Sequence, residues 1–210
     1  MKTCQSGQGT RRIMRQQATR ELYSYWNGLR RQRAAPDRAE IDPAVIRSVL
    51  SDTSMIEADR DGLFPLRLSG ARVNALWARD LKGRSFLDLW GEDRANIAAV
   101  LLTVMDGACP IVAGAQTRLS GRAPVDFELL LLPLRHHGRT HARVLGSLAS
   151  TNLPEWVGLL PIERLELRSL RILSNARPPS DLPLMPRSTG AIDRRTNVRP
   201  QFRLIKGGLA

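Results

Sequence analysis

The chain has 210 residues, of which 42% are hydrophobic, and its formal net charge is +12. This length is typical of one domain with extensions, and the hydrophobic fraction is enough for a single core. No run approaches the ~18 apolar residues that a membrane-spanning helix needs, and the first residues lack the apolar segment of a signal peptide. Because only two cysteines occur, Cys4 and Cys109, no disulfide framework is indicated, and we expect a cytoplasmic protein.

The positive charge is concentrated at the two ends of the chain. Residues 1–40 hold nine Lys and Arg against three Asp and Glu, and residues 175–210 hold seven against two. Such ends can contact nucleic acid or an anionic membrane, but a solvated tail has the same composition, and no aromatic residues are interleaved for base stacking. We predict disordered basic tails over 1–18 and 174–210, which flank one domain over 19–173.

Two helices are predicted to precede the sheet. The first begins at about Thr19, a suitable N-cap. Its apolar residues recur at the spacing of one helix face: Leu22, Tyr23, Trp26 and Leu29. The second begins at Asp42, a good N-cap, followed by Pro43, whose missing N–H is not needed at the first helical position. Its predicted buried face consists of Val45, Ile46, Val49 and Leu50.

A hairpin is predicted next. Residues 55–58 are typical of a strand, and the Asp61-Gly62 pair supplies the left-handed position of a tight turn. The returning strand, residues 64–68, alternates apolar and other residues, which places Phe64, Leu66 and Leu68 on one predicted face.

Short helices, a longer helix and three strands follow in chain order. The short helices are predicted over 71–79 and from Ser85, and the longer one over 92–106. Strands are predicted over three further segments: 111–119, 125–134 and 142–150. Residues 163–173 are compatible with a last strand or with a C-terminal helix.

This order of elements predicts an α+β fold with a five-stranded antiparallel sheet. Strands and helices do not alternate as they do in a doubly wound fold, so we expect short helices gathered on one face. The other face is either free or covered by the N-terminal helix. A curved sheet under a loose helical cap encloses an apolar pocket, the usual site of a small ligand. The candidate pocket residues are Asn74, Trp77, Trp90 and Phe127, although large rings at these positions also fill a core.

Two long, ungapped blocks resemble a PAS-like family found widely in alphaproteobacteria. They are YWNGLRRQRAAPDRAEIDPAVIRSVL, residues 25–50, and FPLRLSGARVNALWARDLKGRSFLDLW, residues 64–90. The likeness runs from about Leu22 to Ile172. It implies a PAS fold and a sensory or regulatory role, and it supplies neither a ligand nor catalytic residues.

No group of reactive side chains indicates an enzyme. A nucleophile elbow, a phosphate-binding loop and suitably spaced paired carboxylates are not found in the sequence. His136, His137 and His141 lie close together, but the first two are typical of a hairpin turn, so no metal site is predicted. Cys109 lies in a predicted loop without the motif of a photosensing PAS domain, and neither flavin nor haem is indicated as a cofactor.

The sequence therefore predicts a stand-alone PAS-type regulatory protein without enzyme activity. It would act by ligand- or partner-dependent association with another protein or with a second copy. The predicted partner surface is the N-terminal helix with Leu22, Tyr23, Trp26 and Leu29. A small apolar ligand in the pocket would shift the population toward a different packing of this helix on the sheet. The alternative is a protein that binds nucleic acid or an anionic membrane surface through its Arg-rich termini.

Overall fold

The computed structural model describes residues 14–59, 61–136 and 139–173, with the backbone alone at 139–142. The α-helices are α1 (Gln17–Arg30), α2 (Ala71–Leu76) and α3 (Arg94–Gly107). The strands are β1 (Thr53–Glu57), β2 (Leu66–Ser69), β3 (Ile111–Arg118), β4 (Asp126–His136), β5 (Arg139–Ala149) and β6 (Arg164–Ile172). Short 3₁₀ helices lie at Arg38–Glu40, Leu50–Asp52, Phe86–Leu89 and Gly91–Asp93.

The described strands form one antiparallel sheet in the order β2-β1-β5-β4-β3-β6. The predicted α+β class with an antiparallel sheet and short helices is thereby confirmed. The predicted strand number of five is wrong, because the segment that was compatible with strand or helix is β6, which pairs along the whole of β3.

The two faces of the sheet carry separate apolar clusters. The cap-face cluster lies under α2, α3 and the short helices between them, and its largest members include Phe64, Trp77, Phe86, Trp90, Ile97, Leu101, Phe127 and Leu129. The α1-face cluster lies under the N-terminal segment and includes Met14, Leu22, Trp26, Ile46, Val49, Met55, Leu130, Leu132 and Leu145. The face opposite the cap is therefore covered by α1 and the residues around it.

The N-terminal segment is ordered earlier than predicted. The predicted disordered tail extended to residue 18, but Met14 is 2% exposed in the α1-face cluster and α1 begins at Gln17. Thr19 is a buried residue inside α1, so the prediction of Thr19 as the N-cap is wrong. Residues 1–13 and 174–210, where the rest of the predicted tails lie, are outside the described residues.

The second predicted helix is a series of tight turns. Asp42 Oδ1 accepts a hydrogen bond from Ala44 N at 2.9 Å, as an N-cap would, but the later backbone bonds join residues three apart, such as Val49 N to Ile46 O at 3.0 Å. Ile46 and Val49 are buried as predicted, whereas Val45 is 63% exposed. Asp42 and Pro43 predicted a helix, but the segment forms turns that bury Ile46 and Val49 against the sheet, so tertiary packing prevails over local preference.

The alternation predicted for the second strand is interrupted by a bulge. Leu66 lies opposite Ile56 and Leu68 opposite Met55, so Arg67 is an extra residue on β2. The extra residue places Leu68 on the side of the sheet that faces α1, at the sheet edge, where it is 42% exposed. The prediction that Leu66 and Leu68 share one face is therefore wrong.

Glu57 joins β1 to both of its neighbours. Its carboxylate accepts hydrogen bonds from Arg67 of β2 and from Arg143 Nη2 of β5, the latter at 3.2 Å. Burial raises the pKa of Glu57, but the hydrogen bonds and the positive charges of Arg67 and Arg143 together lower it, so the net pKa lies below its ordinary value. The folded state therefore favours the ionised carboxylate.

Glu57→Gln is expected to cost about 1 kcal/mol of unfolding free energy at pH 7. A depressed carboxyl pKa stabilises the fold at pH values above the ordinary carboxyl pKa, and this effect is lost as the pH falls through the lower pKa of the folded state. The difference from wild type should therefore shrink as the solution is acidified. Urea denaturation at pH 7 and pH 3 measures the loss of unfolding free energy and its dependence on pH, with exposed Glu155→Gln as the control. A cost that stays constant with pH would contradict this electrostatic account.

Candidate functional site

Three of the four predicted pocket residues lie in the cap-face cluster. Trp77, Trp90 and Phe127 are at most 5% exposed and belong to this single apolar cluster. Asn74 is half-buried outside it, and its Oδ1 accepts a hydrogen bond from Leu81 N at 3.2 Å, which fixes the turn after α2. The structure thus brings the aromatic rings together between cap and sheet, while Asn74 stabilises the cap's own backbone.

The indole N–H of Trp90 has no hydrogen-bond acceptor among the described residues, although the residue is fully buried. The Trp90 ring packs against Phe86, with ring centroids 5.8 Å apart and planes inclined at 60°. An unpaired buried donor costs about 1–3 kcal/mol, which a bound acceptor atom would recover. The cap-face cluster therefore combines an apolar interior with one unused hydrogen-bond donor.

The predicted partner surface is partly an internal contact. Leu22 and Trp26 are fully buried in the α1-face cluster, and Trp26 Nε1 donates a hydrogen bond to Pro133 O at 2.9 Å. A partner cannot reach these two side chains in this arrangement. Tyr23 and Leu29 are half-buried at the margin of the cluster, so they are the members of the predicted set that remain accessible.

Sequence reasoning missed Glu128, a buried acidic residue in the apolar strand β4. Its Oε2 accepts a hydrogen bond from Arg15 N at 2.7 Å and its Oε1 one from Gln16 N at 3.0 Å. These N–H groups lie at the start of α1, where the backbone lacks internal acceptors and a carboxylate is favoured. Glu128 thus holds the two residues that precede α1, whose N-cap, Gln16, makes no side-chain capping hydrogen bond of its own.

Successive residues of β4 contact opposite sides of the sheet. Phe127 and Leu129 belong to the cap-face cluster, whereas Glu128 binds the start of α1 and Leu130 lies in the α1-face cluster. A strand places alternate side chains on alternate faces, so this pattern follows from the strand geometry. Adjacent residues of β4 therefore contact the cap-face cluster and the start of α1.

A family model described as a PAS domain matches residues 14–149, well over half of the chain. The chain belongs to the PAS domain family. Among curated proteins, none matches the sequence. A solved structure described as that of an RNA-binding light-oxygen-voltage receptor is similar over 59% of this PAS protein and 37% of its own chain, with 17% identity and a TM-score of 0.39.

The PAS protein extends beyond the matched region. Residues 150–173 follow it, and in this segment Ile162 N donates a hydrogen bond to Leu76 O of the cap at 2.8 Å before β6 joins the sheet edge. The last part of the chain described thus contacts both the cap and the sheet. None of the described helices is long and apolar enough to cross a membrane.

The histidines and the terminal arginines singled out from the sequence lie only partly within the described residues. His136 ends β4, while the side chains of His137 and His141 lie outside the described residues. Within the described part, no group of three or more His, Cys, Asp or Glu is arranged to hold a metal ion. Cys109 is half-exposed, with its Sγ 3.1 Å from Gly107 O. The terminal arginines of the alternative function belong mainly to segments that are not described.

Proposed function

We propose that this PAS protein is a regulator that works by binding and not by turnover. Its cap-face cluster takes a small, mainly apolar ligand whose acceptor atom pairs with the indole N–H of Trp90. The outcome is a change in how α1 sits on the sheet, which alters association with a protein partner or with a second copy. The margin of α1 that includes Tyr23 and Leu29 contributes to the partner surface.

The arrangement of β4 is the observation that supports this proposal. Phe127 contacts the cap-face cluster, and the next residue, Glu128, holds the start of α1 by two charge-assisted hydrogen bonds. A ligand that binds better when β4 is displaced stabilises the state in which these bonds are altered. The largest possible shift equals the difference in the ligand's affinity for the two states.

Glu128→Gln is expected to loosen α1 while the sheet stays intact. The amide keeps one carbonyl acceptor but loses the negative charge and directs an NH₂ group toward backbone N–H groups, so the cost is about 2 kcal/mol. Amide hydrogen exchange should accelerate at α1 and remain slow in β3, β4 and β5. Asp126→Asn, an exposed change on the same strand, should leave the exchange rates of α1 and of the strands unchanged. An unaltered exchange rate at α1 in E128Q would contradict the role of Glu128.

Communication across β4 has a separate test. Phe127→Ala, on the cap side, should accelerate exchange at α1, and this effect should largely disappear in the Glu128→Gln background, because the two changes act on one element. Phe86→Ala is the matched control, since it removes the same ring from the cap-face cluster without changing β4. Equal and additive effects of F127A and F86A on α1 would disprove the proposed communication.

A further inference from the structure

A groove runs along the outer side of α1, separate from the cap-face cluster. It has a volume of about 570 Å³ and lies between α1 and the tight turns before β1. We call it the α1 groove, and its lining residues are Glu21, Ser24, Tyr25, Gly28, Leu29, Val45, Ile46, Ser48 and Val49. This volume falls within the range of about 300–1,000 Å³ that is typical of binding clefts.

The walls of the α1 groove are held in place by hydrogen bonds. Tyr25 Oη accepts from Asp42 N at 2.7 Å, which ties the helix to the turn segment. At one end of the groove, Ser48 Oγ donates to Glu21 Oε2 at 3.1 Å. The groove therefore exists in the free protein, and binding does not have to form it.

Apolar surface in the groove is left uncovered. Val45 is 63% exposed on one wall, and Leu29 is half-buried on the other. Between them Gly28 presents no side chain, and an added Cβ there would meet no atom within 4 Å. The result is an open, mainly apolar channel in which Gly28 leaves space, while the Tyr25 side chain joins its two walls.

Glu21 is the one charged residue among those lining the groove. Its carboxylate accepts from Gln17 Nε2 at 2.6 Å and from Ser48, but no ion pair to it is found in the described part of the chain. A carboxylate at the end of an apolar channel is complementary to a cation carried by an apolar scaffold. The groove is thus suited to a basic amphipathic partner.

A second copy of α1 does not meet this requirement. The apolar residues Leu22 and Trp26 of α1 are buried against its own sheet, so the helix has no free apolar face to insert into the groove of another copy. From Glu21 to Leu29 the helix wall is about 12 Å long, which accommodates about two turns of an added helix. A second copy of α1 is therefore not the occupant that we propose, and the choice of a basic partner rests on the carboxylate of Glu21.

We propose that the α1 groove binds an amphipathic helix of a partner protein, with a Lys or Arg of that helix placed against Glu21. Apolar residues at i, i+3 or i+4, and i+7 of the partner contact Leu29 and Val45, in the helix-in-groove mode of recognition. This names the partner chemistry for the association proposed above and rests on that function.

Gly28→Leu is the central test, because it fills the channel without disturbing the fold. The probe is a fluorescein-labelled amphipathic helical peptide with leucines on one face and a single lysine at one end. Fluorescence anisotropy with the full-length protein should show binding that weakens at least tenfold in G28L, and the variant should melt no lower than wild type since Leu is the better helix former. Asn27→Leu adds the same side chain outside the groove and should bind as wild type does.

The role of Glu21 is tested by exchanging charges. Glu21→Lys should weaken binding of the lysine peptide, and a peptide with glutamate in place of that lysine should bind E21K better than it binds wild type. Wild-type affinity in G28L, or no binding of the lysine peptide to the wild-type protein, would overturn the proposed groove. If sedimentation shows a wild-type dimer that G28L dissociates, the occupant is a second copy and the proposed partner is wrong.

These outcomes are distinguishable from a failure of the proposed function. The proposed regulation fails if Glu128→Gln leaves α1 unchanged, whereas the groove proposal fails if G28L leaves peptide binding unchanged. If G28L weakens peptide binding and E128Q does not, the proposed docking surface is supported and its proposed control through β4 is disproved.

Discussion

Replacement of Trp26 by Ala is expected to lower the free energy of unfolding by about 4 kcal/mol. The side chain is fully buried in the α1-face cluster, and Arg30 Cζ lies 5.4 Å from its ring centroid. Truncation leaves a cavity between α1 and the sheet, and it also removes the donor to the Pro133 carbonyl. Urea denaturation of the purified variant, followed by circular dichroism, measures this loss.

Trp26→Phe separates the two contributions. Phenylalanine keeps most of the apolar contact but cannot donate to Pro133 O, so we expect a loss of about 1–3 kcal/mol, clearly smaller than that of W26A. Tyr23→Ala, on the neighbouring and half-exposed position, should cost less than either. If W26A cost no more than Y23A, the N-terminal helix would not be held to the sheet as the structure shows.

Most of the helices and strands could be predicted from the spacing of apolar residues in the sequence. The spacing of Leu22, Trp26 and Leu29 specifies a helix with one apolar face, and α1 includes all three. Alternation or apolar runs likewise predicted the first five strands, because side-chain direction along a strand depends only on local geometry. The ambiguous residues 163–173 were resolved only by pairing with β3, a contact between segments about fifty residues apart.

The errors share a physical cause, which is that tertiary contacts prevailed over local preference. Asp42 and Pro43 are favourable at a helix start, yet the segment bends so that Ile46 and Val49 reach the sheet. In the same way, the bulge at Arg67 depends on the register between β1 and β2 and cannot be derived from the composition of β2 alone.

For the candidate site, the sequence indicated which part of the chain to consider but not which side chains contact one another. The large rings proposed for the pocket lie together in the cap-face cluster, where they also fill the core, and the sequence could not show that Trp90 has no acceptor among the described residues. Glu128 had a visible sign, since it is an acidic residue at the start of the apolar run Leu129–Leu132. A charge in a buried strand needs a partner, and here the partners are backbone N–H groups more than one hundred residues away.

Gly70 is the position at which the smallest change should have one of the largest effects. It joins β2 to α2 and lies against the 3₁₀ turn before β1, and its N–H donates to Thr53 O at 2.9 Å. A Cβ added there would lie 2.3 Å from Leu50 O and 2.4 Å from Ser51 O. Both are backbone atoms, so relief requires movement of the chain and not of a flexible side chain.

Gly70→Ala is therefore expected to destabilise the fold by about 3 kcal/mol. The φ of Gly70 is −68°, which any residue adopts, so the cost is one of space and not of backbone conformation. Gly28→Ala is the matched control: no atom lies within 4 Å of its added Cβ, and it should stabilise α1 by up to about 1 kcal/mol. Urea denaturation of both variants provides the comparison. Equal stability of G70A and G28A would mean that the Leu50–Asp52 turn does not contact the start of α2 this closely, and that the cap is held more loosely than the structure indicates.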